Sequence, residues 1–131
     1  MKKFVSFLLF VLLISCQETT CKGVELIDGL SYKNGKLYTG KCITHSSNGT
    51  VRSIQSYKKG FDHGKWTFYH DNQELSTIGN FSLGKKIGEW KYFHENGVLY
   101  FHQFFDQKGN EIGTWKEFDT SGKLIKTYKK S

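Results

Sequence analysis

At 131 residues the chain has room for one domain. Aromatic side chains make up 16% of it, proline is absent and 14 residues are glycine, which excludes both a disordered chain and a helical one. The formal charge is +7; without Lys2 and Lys3, 17 basic side chains face 12 acidic ones, and that balance of +5 favours anionic surfaces without naming one.

The chain opens with Met1, Lys2 and Lys3, a short positive flank, followed over residues 4–14 by an apolar run broken only at Ser6. A run of that length covers about half of a bilayer's hydrocarbon at roughly 1.5 Å per residue. Residues 1–15 therefore read as a signal peptide and not as a spanning helix. Leu13-Ile14-Ser15-Cys16 resembles the lipobox of bacterial lipoproteins, in which a small residue precedes a cysteine that is acylated before cleavage on its amino side. The resemblance implies that Cys16 is the lipid attachment site and the first mature residue, held to a membrane by more than one acyl chain. Gln17 stands where that family's inner-membrane retention signal is typically Asp, which favours the outer membrane. Residues 16–23 are expected to be a polar, lipid-anchored linker and residues 24–131 the folded domain.

With Cys16 modified, Cys21 and Cys42 remain, an even pair in a compartment where disulfides persist. A bridge between them would close a loop of about 20 residues and add roughly 3 kcal/mol in the chain-entropy picture. The alternative is that Cys42, which sits where later copies carry Trp, is a small buried hydrophobe.

From there the chain repeats itself. G-E-W-K-Y-F-H-E-N-G at residues 88–97 has counterparts at residues 64–73 and 113–122, and a worn copy at residues 40–49. The leading glycines Gly40, Gly64, Gly88 and Gly113 stand 24, 24 and 25 residues apart, the mark of a repeat array. Asn34-Gly35, between Tyr32 and Leu37, supplies a hairpin turn ahead of them. Each later unit carries a first strand with G-x-W, a tight turn such as Asn48-Gly49 or Asn96-Gly97, a second strand from an aliphatic to an aromatic residue, and a looser turn at Gly60, Gly84 or Gly109. The units fall near residues 30–39, 40–63, 64–87, 88–112 and 113–131. The expected fold is all-β: stacked β-hairpins forming one elongated, twisted antiparallel meander. Glycines interrupt any helical periodicity.

Stacking equivalent positions predicts ladders of core residues. One row holds Trp66, Trp90 and Trp115, a second Leu75, Leu99 and Leu124, and a third Tyr57, Phe81 and Phe105. Tyr69, Phe93 and Phe118 follow the tryptophans at i+3, the opposite face of a regular strand. Either a bulge intervenes or both faces carry aromatic rows. Leu75 with Phe81, and Leu99 with Phe105, are an even number of residues apart and are expected to share a face.

The unit G-x-W-x-x-[FY]-x-x-N-G-x-L, with a second aromatic before the next glycine pair, resembles the MORN-repeat variant, of the type found in bacterial YwqK-type antitoxins. The likeness runs from about residue 30 to residue 128, with Cys42 for Trp and Gln73 for Gly as departures. It implies a module that binds proteins, or in some members lipids.

No pattern points to catalysis or to a cofactor. His45, His70 and His94 recur with the repeat, and His63 and His102 lack Cys, Asp or Glu at ligand spacing, so no metal site is expected. No strand-turn-helix exposes a nucleophile. Lysines gather in the turns expected to be looser, at Lys58, Lys59, Lys85, Lys86, Lys129 and Lys130, while Asp71, Glu74, Glu95 and Asp119 lie in the others. A meander places these on opposite edges, so one edge should be basic, a solvated rim or a surface for anionic lipid headgroups. The expectation is a non-enzymatic, membrane-anchored lipoprotein that binds or scaffolds an envelope protein, with no nucleic-acid partner. The alternative is an antitoxin or immunity protein that neutralises a toxin.

Overall fold

The structure is a computed structural model and describes residues 19–131; the signal peptide and Cys16 expected from the sequence lie outside the described residues. The described residues form thirteen strands and no helix. Short strands come first: β1 (Thr19–Thr20), β2 (Val24–Ile27), β3 (Leu30–Lys33) and β4 (Lys36–Leu37). The repeat units follow as β5 (Gly40–His45), β6 (Val51–Lys58), β7 (Phe61–Asp62), β8 (Gly64–Tyr69), β9 (Leu75–Ser82), β10 (Lys85–Phe93), β11 (Leu99–Phe105), β12 (Thr114–Phe118) and β13 (Leu124–Lys129). The main sheet runs β1-β5-β6-β8-β9-β10-β11-β12-β13, with β7 paired to β6. From β5 onward it is the antiparallel meander of hairpins that the repeats predict.

The amino-terminal end departs from that plan. β2, β3 and β4 form a sheet of their own instead of extending the meander. Their turns fold each short strand straight back: Asp28-Gly29 and Asn34-Gly35 all have positive φ, the backbone of two-residue hairpin loops. This small sheet docks on the turn at Gly60, whose carbonyl accepts from the Ser31 N–H at 2.8 Å and whose own N–H donates to the Tyr38 carbonyl at 2.8 Å. The folded part also begins before residue 24: Thr19 and Thr20 run parallel to Cys42 and Ile43, so part of the expected linker is a strand.

The expected order of tight and loose turns is reversed at Gly60 and Gly84, while the turn at Gly109 is one of the longer ones, as expected. Lys58 pairs directly with Phe61 and Ser82 with Lys85, which makes Lys59-Gly60 and Leu83-Gly84 the two-residue loops, with φ of 50° and 82° in the first and 44° and 84° in the second. The turns around Gly49, Gln73, Gly97, Gly109 and Gly122 have three-residue loops. In the turn at residues 94–98 the His94 N–H donates to the Val98 carbonyl at 2.8 Å and the Gly97 N–H to the His94 carbonyl at 2.9 Å, and residues 46–50, 70–74, 106–110 and 119–123 repeat both bonds. The fourth residue of each takes positive φ, which is why glycine recurs there and why Gln73, at φ 70°, stands out.

A register shift follows four of those five turns between paired strands: at Thr44/His45, Phe68/Tyr69, Tyr92/Phe93 and Glu117/Phe118. The partner strand carries the extra residue, for Phe68 pairs with Thr77 while Tyr69 pairs with Leu75. The first strand therefore alternates regularly, and both faces of the sheet carry aromatic rows. The same bulge separates residues expected to share a face. Leu75 opposes Tyr69 and Phe81 opposes Gly64, positions of opposite parity in β8, so Leu75 and Phe81 lie on opposite faces, as do Leu99 and Phe105.

One face holds the principal core. Trp90, Phe105 and Trp115 are buried, with Phe81, Tyr92, Phe101, Phe104 and Tyr128 packed against them. Ring contacts link the units: Tyr57 to Trp66 at 5.4 Å, Trp66 to Phe81 at 5.0 Å and Phe81 to Trp90 at 4.9 Å between centroids. Each indole also reaches the preceding hairpin. Trp66 Nε1 donates to the Ser56 carbonyl at 2.8 Å, Trp90 Nε1 to the Asn80 carbonyl at 3.1 Å and Trp115 Nε1 to the Phe104 carbonyl at 3.2 Å. A tryptophan thus buries a large ring and satisfies its own N–H in one placement, which explains the repeated residue type. Of the residues expected in the core, Leu124 is 47% exposed, because β13 is the last strand of the sheet and among the described residues pairs only with β12.

Candidate functional site

The turns carry a second set of links between units, which the sequence registered only as regularity. His70 Nε2 lies 2.8 Å from the Phe93 carbonyl oxygen and His94 Nε2 lies 3.0 Å from that of Phe118. Asn72 Nδ2 donates to the Glu95 carbonyl at 2.7 Å and Asn96 Nδ2 to the Thr120 carbonyl at 2.8 Å. The turn at residues 70–74 is therefore hooked onto that at 94–98, and that one onto the turn at 119–123. These imidazoles serve backbone carbonyls, and among the described residues no group of three or more His, Cys, Asp or Glu could hold a metal ion. In the last turn, His and Asn give way to Asp119 and Ser121. Asp119 Oδ1 accepts from the backbone N–H groups of Ser121 and Lys123, at 2.9 Å and 3.0 Å, and from the Ser121 hydroxyl at 2.6 Å. Hydrogen bonding to Ser121 holds the Asp119 carboxyl below the usual carboxylate range.

The lysines singled out by the sequence divide into two groups. Lys58, Lys59, Lys85 and Lys129 are exposed. Lys86 turns inward: its Nζ stands 4.4 Å from the Trp90 ring centroid and donates to the Tyr92 hydroxyl at 2.8 Å, and that hydroxyl donates to Gln103 Oε1 at 3.0 Å. Lys130 Nζ lies 3.9 Å from the Trp115 ring centroid and 2.7 Å from Glu111 Oε2. Lys86 and Lys130 thus cover the aromatic core with ammonium groups and do not extend the basic edge.

At the other end of the sheet Cys21 and Cys42 form a disulfide, with Cα atoms 4.7 Å apart. Cys42 is fully buried at the place where the later units have tryptophan. Beside it a cleft of about 290 Å³ opens between the small sheet and the main one, lined by Val24, Leu26 and Ser31 on one side and Gln55, Tyr57, Asp62 and Trp66 on the other. Its floor is fixed by a chain of side-chain hydrogen bonds. The Tyr57 hydroxyl donates to Gln55 Oε1 at 2.6 Å, Gln55 Nε2 donates to Ser53 Oγ at 3.1 Å, and Ser53 Oγ lies 2.6 Å from Thr44 Oγ1. Burial pushes the Tyr57 phenol up to about 12, with the nearby Asp62 charge acting in the same direction. Burial also raises the Asp62 carboxyl above its ordinary value, and no ion pair among the described residues involves it. Nothing in the sequence spacing joins Leu26 to Asp62, because they meet only through the docking of the second sheet.

A family model described as the MORN repeat variant matches residues 86–107 and 111–129. No curated protein and no solved structure matches the chain. The two matched segments run through β10 to β13, so the chain carries MORN-variant repeats there.

Proposed function

We propose that the chain is a non-enzymatic lipoprotein of the bacterial cell envelope, anchored through Cys16 with the outer membrane favoured, whose hairpin array binds or scaffolds a partner protein. The observation that supports it most is the MORN-variant match on a sheet whose units are cross-linked by indole, imidazole and amide hydrogen bonds. MORN repeats suggest a binding or scaffold module, and a rigid array of this kind presents an extended surface to a partner. The lipobox-like Leu13-Ile14-Ser15-Cys16 supports the anchor. Lys58, Lys59, Lys85 and Lys129 support an auxiliary role for the basic edge at an anionic membrane, at about 1 kcal/mol per lysine near the surface.

The anchor is tested by growing cells on labelled palmitate. Label should enter the mature protein and vanish with Cys16→Ser; an unlabelled wild-type protein would refute it. Partner binding is tested by crosslinking from envelope membranes with the Cys16-anchored form, which should recover one specific protein. If that protein is a toxin whose effect the chain relieves on co-expression, the scaffold reading gives way to the immunity reading.

A further inference from the structure

The cleft beside the disulfide combines three features that together select a ligand. It holds a partly buried carboxylate, Asp62, with no cationic partner among the described residues. The Tyr57 hydroxyl in the same cleft donates to Gln55 at 2.6 Å instead. The Tyr57 and Trp66 rings, at 64° to each other with centroids 5.4 Å apart, line the same cleft. Val24 and Leu26 add an apolar wall, and Leu26 is 76% exposed at its edge.

We propose that this cleft binds a lysine side chain of a protein partner, with Asp62 taking the ammonium, the Tyr57 and Trp66 rings flanking it, and Val24 and Leu26 covering the methylene stem. A partly desolvated carboxylate without a cationic partner favours a cation, and aromatic faces strengthen that choice once water is displaced. The apolar wall favours a four-carbon stem over an ethanolamine headgroup, whose short chain would carry its phosphate toward Asp62. The volume of about 290 Å³ admits one such side chain and no folded segment. In a chain with a formal charge of +7, an acidic cleft is also where a basic partner residue meets the least repulsion.

This site rests on the protein-binding reading, and it can fail separately from it. The full chain in detergent micelles, with its tryptophans labelled on the indole nitrogen, is titrated with acetyl-Gly-Lys-Gly-amide, with the norleucine counterpart and with phosphoethanolamine. The Trp66 resonance, assigned through Trp66→Phe, should shift saturably with the lysine peptide and stay still with norleucine. Asp62→Asn should weaken the lysine peptide at least tenfold. That variant should still fold: the Asp62 pKa is raised on folding, so its contribution to stability is present at low pH and lost as pH rises through the folded value. At neutral pH the charged form opposes folding, and Asp62→Asn should unfold at a temperature no lower than the parent. An unmoved Trp66 resonance, equal binding by Asp62→Asn, or tighter binding of phosphoethanolamine than of the lysine peptide would each overturn the proposal. Recovery of a crosslinked envelope partner undiminished by Asp62→Asn would keep the scaffold reading and remove this cleft from it.

Discussion

The second unit, residues 40–63, and the fourth, residues 88–112, solve the same packing problem with different chemistry. In the fourth, Trp90 is 3% exposed, lies over the backbone of Gly79 and hands its N–H to the Asn80 carbonyl of the hairpin before it. In the second, Cys42 occupies the corresponding position and is bonded to Cys21. The difference follows from what lies next door. A tryptophan needs a preceding antiparallel strand to supply a carbonyl, and the strand beside β5 is β1, a short parallel strand followed by Cys21. An indole at residue 42 would bury an N–H with no hairpin to receive it, whereas a disulfide needs only a second sulfur in reach. The same slot is closed by burial where a neighbour exists and by a covalent bond where none does.

That comparison is broken most severely at the buried indole. Trp90→Ala should cost about 3–5 kcal/mol, read by urea unfolding, because it opens a cavity and strands the Asn80 carbonyl. Cys21→Ser should cost roughly 3 kcal/mol, the loop-closure contribution, and adding Cys42→Trp to it should not restore the loss. Restoration by that second change would mean that the indole finds an acceptor after all. Gly79→Ala probes the close approach itself: its Cβ would stand 2.2 Å from the Trp90 ring, so about 1–3 kcal/mol should be lost through overpacking, although Gly79 has no positive φ to explain its identity. Smallest, and opposite in sign, is Gln73→Gly. The other three-residue loops have glycine in this left-handed position, and relieving φ 70° there should raise stability by about 1 kcal/mol.

The hairpin array was legible because its signals are local. A glycine followed two residues later by tryptophan at a step of 24 or 25 residues, and Asn-Gly pairs between β-rich runs, specify strands and turns without reference to the rest of the chain. Turn length was not legible, since Lys59-Gly60 and Leu83-Gly84 contain residues that seldom take positive φ, while Asn48-Gly49 and Asn96-Gly97 belong to loops one residue longer. The bulged residues Ser76 and Tyr100 then reversed the parity expected for Leu75 and Phe81 and for Leu99 and Phe105. The cleft was hidden for another reason. Val24, Leu26 and Asp62 are distant in sequence and belong to different sheets, so only tertiary docking brings them together.

Hydrogen exchange at the three indole N–H groups tests the inter-unit bonding most directly. Trp66, Trp90 and Trp115 should all be protected alongside the amides of β8 to β12, and should lose protection together on unfolding. Exchange of these indoles at the rate of free tryptophan, with the strand amides still protected, would contradict the claim that each unit is fastened through its tryptophan to the one before it.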